Sequence, residues 1–125
     1  MVDRQDGALL VQLAQWGTSM GLQAAMRTIF ADEFDPESAT ARDEAVSTVL
    51  QFGETVGTLT KNGLIETGLV LDWLWVSGLW DRVGPAAVKA REKYGVPELY
   101  ENMEALAEAA ARQELDPFTR GSVEP

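Results

Sequence analysis

The sequence predicts an all-α fold, a compact irregular bundle of about five helices around a central apolar helix, and three observations carry that prediction. Apolar residues recur at helical spacing through most of the chain, no run alternates apolar and polar residues, and β-branched residues do not cluster as they do in strands. Hydrophobic residues make up 46% of the 125, enough for one domain of this length to bury a core without staples.

A first helix is expected over residues 8–30, after a short lead at 1–7. Leu9, Leu13, Trp16, Met20 and Ala24 fall on one face, and Gly17 and Gly21, one turn apart, would let another helix approach closely. Asp35-Pro36-Glu37 reads as a helix start, with a competing cap at Thr40 and Asp43. The second helix then buries Val46, Val49, Leu50, Phe52, Val56 and Leu59 and stops at Asn62-Gly63. The third, over about 67–83, is the central one. At about 100° per residue, Leu69, Trp73, Val76 and Trp80 share one side, while Val70, Leu71, Leu74 and Trp75 cover the rest. Pro85 is expected to open a short fourth helix that Gly95 closes, and Pro97 a fifth that buries Leu99, Met103, Leu106 and Ala110. The domain is thus expected over 8–116, with a tail at 117–125 that has no periodicity.

Composition excludes much chemistry. Cysteine and histidine are both absent, which removes thiol nucleophiles, imidazole bases and the usual zinc ligands. The net charge of −10 disfavours nucleic acid and anionic membranes as partners. Charge is unevenly spread: residues 32–44 and 98–116 are strongly acidic, whereas Arg82, Lys89, Arg91 and Lys93 make residues 81–93 net positive. No secretory signal or spanning segment is expected, so the default setting is cytoplasmic.

Gly17-Thr18-Ser19-Met20-Gly21 fits the pattern of a hydrolase nucleophile elbow. That motif needs a strand-turn-helix context and a histidine, so close helix packing is the better reading. Asp32, Glu33, Asp35 and Glu37 lack the turn glycine of a calcium loop; no metal or cofactor is expected. Trp73, Trp75 and Trp80 are ligand-binding candidates if they line one pocket, and core residues otherwise. On the continuous wheel of the third helix Asp72 lies between Val76 and Leu79, so a buried carboxylate paired with Arg91 across two helices is expected. Glu54 is a second carboxylate among apolar neighbours.

Phe52-x-Glu54 with Gly57, Lys61-Asn62-Gly63-Leu64-Ile65, Trp80, Arg91 and Tyr100-Glu101-Asn102-Met103-Glu104-x-Leu106 resemble a family of uncharacterised bacterial all-helical domains, one of the domain-of-unknown-function groups. The resemblance covers residues 52–106. It implies a helical bundle and a role for Trp80 and Arg91, and it brings no established activity. Some members carry a preceding membrane helix, for which this first helix is too polar. The leading expectation is a non-catalytic, acidic protein-interaction or regulatory module, with a protein partner or self-association. A Trp-lined ligand-binding domain and a carboxylate-dependent enzyme using Asp72 or Glu54 are the alternatives.

Overall fold

The computed structural model describes residues 2–115, with side chains to residue 113. Six helices follow one another, α1 (Arg4–Ser19), α2 (Leu22–Ile29), α3 (Glu44–Lys61), α4 (Thr67–Trp73), α5 (Val76–Tyr94) and α6 (Glu101–Leu115), with no strand among the described residues. The all-α class stands. The expected tail at 117–125 lies outside the described residues.

α1 begins earlier than its apolar pattern does, because Asp3 and Asp6 close a capping box there. The Asp6 backbone N–H donates to Asp3 Oδ1 at 3.0 Å, and the Asp3 N–H donates to Asp6 Oδ2 at 2.8 Å. The other Asp6 oxygen accepts the Glu66 N–H at 2.9 Å, so one buried carboxylate fastens the start of α1 to the start of α4. These backbone donors, Asp3 first and Glu66 second, outweigh burial and hold the Asp6 carboxyl below its ordinary 3.8. A lowered carboxyl stabilises the fold above its unfolded value, and that stabilisation is lost as pH falls through the lower folded value. Wild-type protein is therefore expected to lose stability below about pH 4 more steeply than Asp6→Asn. Acid titrations followed by circular dichroism check this, and parallel curves for the two proteins would contradict it.

The single helix expected over 8–30 is broken at Gly21, which adopts φ 80, a left-handed conformation that only glycine takes readily. Gly17 serves close packing instead, with a Cβ there meeting Leu22 and Phe52 at 3.1 and 3.2 Å. The second start signal, not the first, opens α3. Asp43 stands at the N-cap position without a side-chain bond to the helix; its carboxylate accepts from the backbone and hydroxyl of Thr40 within the preceding turn, while Asp35 only closes a local turn onto Glu37.

The expected central helix over 67–83 is two helices. Leu74 and Trp75 leave helical geometry, and the Trp75 indole folds back over Gly78 and stacks on Phe30 at 5.6 Å. α5 then runs through Pro85 rather than starting there. The residue before it is Gly84, which has no Cβ to clash with the proline ring. Pro97 opens a turn only, and α6 starts at Glu101 after Tyr100 takes φ 62.

The core draws on all six helices, and its centre is α3, which packs on α2, α5 and α6. Val46, Val49, Leu50, Phe52 and Val56 of α3 are buried, and Phe52 lies between Trp16, stacked at 5.3 Å, and Trp73, edge-on at 5.9 Å. Among the described residues no helix is long and apolar enough to cross a membrane.

Candidate functional site

The loop that brings the chain from α2 to α3 passes alongside the C-terminal half of α5 and leaves a groove of about 460 Å³. Ala86 and Ala90, one turn apart and buried, form its floor with Ala41. Lys89 and Lys93, also one turn apart on α5, and Arg42 from the loop form its rim, and Tyr94, 55% exposed, closes one end. Alanines keep the floor shallow enough for a second backbone to come near. Lys89 clasps the loop to the helix by donating to the Glu37 carbonyl at 2.8 Å. Lys93 lies over the Tyr94 ring at 5.5 Å. Among the described residues no carboxylate pairs with Arg42 or Lys93. The groove thus gathers three cations and no acid in a chain of net charge −10.

The residues singled out in the sequence lie elsewhere. Asp72 is exposed on α4, and Arg91 reaches α6 and the turn before it instead: its Nε donates to the Leu99 carbonyl at 2.7 Å and its Nη2 is in ion-pair contact with Glu104 at 2.8 Å. The Asp72–Arg91 pair expected from the helical wheel is therefore replaced by Arg91–Glu104. The Nη2 atom is buried and not aligned for a hydrogen bond, so the contact with Glu104 is one of charge. The same guanidinium lies over Trp80 at 5.9 Å.

Glu54 is engaged as well. Its two oxygens accept from the Met103 backbone N–H at 2.9 Å and from Asn102 Nδ2 at 3.0 Å, so a residue of α3 caps the first turn of α6. Burial, and then the Glu54 carboxylate, push the neighbouring Tyr100 phenol above its ordinary 10.0, which keeps it protonated. Glu54, Trp80, Arg91, Asn102, Met103 and Glu104, all elements of the resemblance, thus meet where α3, α5 and α6 join, in a junction that is spent on holding those helices.

The three tryptophans each find a different ring or cation: Trp73 packs on Phe52, Trp75 on Phe30 and Trp80 under Arg91. Trp75 is 63% exposed, which the expectation of a core residue missed. Among the described residues no cluster of three or more acidic side chains is placed to hold a metal ion. The basic run 81–93 stands out in the sequence but Arg42 and Tyr94 do not; the four-residue spacing of Ala86 to Ala90 and Lys89 to Lys93 was the available signal for the α5 side of the groove alone.

The model of the family described as Domain of unknown function (DUF4760) matches residues 5–110, most of the chain. No curated protein and no solved structure matches.

Proposed function

The chain belongs to the DUF4760 family of domains of unknown function, and from that premise we propose that it is a non-catalytic interaction module whose groove between residues 40–42 and α5 receives an acidic, amphipathic helical segment of a partner protein. The observation that carries this reading is the pairing of an alanine floor with a rim of Arg42, Lys89 and Lys93 that contains no acid. A small apolar residue of a partner helix would lie over Ala86 and Ala90, and its flanking carboxylates would meet the cations. The prominent carboxylates support no competing enzyme reading, since Asp72 stands exposed and Glu54 is occupied by two donors. A cytoplasmic setting without nucleic acid partners belongs to the same proposal, and the net charge of −10 supports the second part of it.

The test uses a fluorescently labelled synthetic helix of Glu, Ala and Leu with one acidic face. Its anisotropy should rise with added protein at low salt and fall as salt is raised. Arg42→Glu/Lys93→Glu should abolish the rise, and Asp72→Ala should leave it unchanged. Binding that survives the double reversal would contradict the reading. The groove volume of about 460 Å³ also falls in the range of small-ligand pockets, so displacement of the peptide by small organic anions would favour a small-molecule occupant.

A further inference from the structure

We infer that the acidic helix this groove takes is α6 of a second copy of the same chain, an inference that rests on the docking reading above and names its partner. The inner face of α6, with Met103, Leu106, Ala107 and Ala110, is buried in the chain's own core, and Glu104 is held by Arg91. What remains outward is a separate stripe, with Glu101, Ala105 and Glu108 all exposed. Spacings of four and three residues place them on one helical face, with the carboxylates two turns, about 10 Å, apart. The stripe is therefore two acids about a small residue, and the groove is a row of cations about small residues: charge and bulk are complementary on both counts. Alanine on each side lets the two helices approach closely. Exposure of the stripe within one copy means that it does not fill its own groove, so the two surfaces can meet only between copies. Arg112, one turn beyond Glu108 and exposed, bears the same sign as the groove and confines docking to the first half of α6.

The two surfaces differ, so the contact is heterologous, and each copy carries one of each. The net charge of −10 makes whole molecules repel, so the association is a weak one whose charge terms salt alone does not separate. A charge-swap cycle does separate them. Sedimentation equilibrium would be run on wild type, Lys93→Glu, Glu108→Lys and an equimolar mixture of the two variants, with circular dichroism confirming that each is folded. Both positions are exposed, so folding is not at stake. Each reversal should weaken self-association by about tenfold or more, equivalent to about 1.4 kcal/mol. The mixture should recover it, because an intact groove then meets an intact α6, and the reversed groove meets the reversed helix. Wild type that stays monomeric while the synthetic acidic helix still binds would overturn the inference and leave the docking reading standing. Absence of both would overturn the two together. Self-association that neither variant weakens, or that the mixture fails to restore, would also refute the α6-in-groove contact.

Discussion

Gly57→Ala is expected to cost about 3 kcal/mol, the upper end of what overpacking does. A Cβ at Gly57 would run into the backbone of α6, colliding with the Asn102 carbonyl oxygen and lying 2.6 Å from its carbon and 2.9 Å from the Met103 nitrogen. Backbone has no rotamer to offer, so the two helices must separate, and the bonds from Glu54 to Asn102 and Met103 resist that. Gly53 sits one turn earlier and gives an internal comparison. There the atoms nearest the added Cβ belong to the Met103 side chain, a flexible thioether that can swing at smaller cost. At Gly7 in α1 nothing lies within 4 Å, and alanine should stabilise by about 0.5–1 kcal/mol through helix propensity alone. Denaturant melts should rank Gly7→Ala above wild type, then Gly53→Ala, then Gly57→Ala. A Gly57→Ala protein as stable as wild type would mean that α3 and α6 do not approach as described.

Glu54→Ala is expected to cost about 2–3 kcal/mol, because it strands a buried N–H and removes a charged acceptor. The Met103 N–H it leaves behind belongs to the first turn of α6, where no intrahelical carbonyl can take it. Glu54→Gln keeps an acceptor oxygen and should cost about 1 kcal/mol. Combined with Asn102→Ala, Glu54→Ala should lose less than the sum of the two single effects, because both delete the same contact. Near-wild-type stability in Glu54→Ala would free this carboxylate for chemistry and reopen the enzyme reading.

Helical class and several boundaries were legible because they are written locally. Asn62-Gly63 after α3 and Gly95 after α5 are stop signals whose physics does not depend on the rest of the fold, and the turn before α3 is closed locally by Thr40 and Asp43 on each other. The break at 74–75 was not legible. Neither Leu74 nor Trp75 is a helix breaker, and the reason for the break is tertiary: the Trp75 indole finds Phe30 and the open face of Gly78. That one miss explains the error at Asp72. A wheel drawn without interruption through 67–83 carries the phase of α5 back into α4, and it rotates an exposed carboxylate into an apolar arc. Pro85 misled in the opposite sense, since α5 accommodates it, and Gly84 ahead of it presents no Cβ to the proline ring. Glu54, Trp80 and Arg91 were marked by the resemblance, but their convergence on the start of α6 depends on how three helices cross. The groove was half visible. Lys89 and Lys93 stand out in a basic run, whereas Arg42 is hidden within an acidic stretch and joins them through the tertiary packing of the loop, where Ala39 is buried in the core and Lys89 bonds the Glu37 carbonyl.

The central claim is that the groove, and no other surface, is where this protein meets an acidic helix. Amide chemical-shift mapping during titration with the unlabelled synthetic Glu, Ala and Leu helix tests it most directly. Shifts are expected to concentrate at residues 40–42 and 86–94, saturate together, and vanish in Arg42→Glu/Lys93→Glu. Shifts centred on the exposed Trp75 and its Phe30 partner, or spread without saturation over the surface, would contradict it.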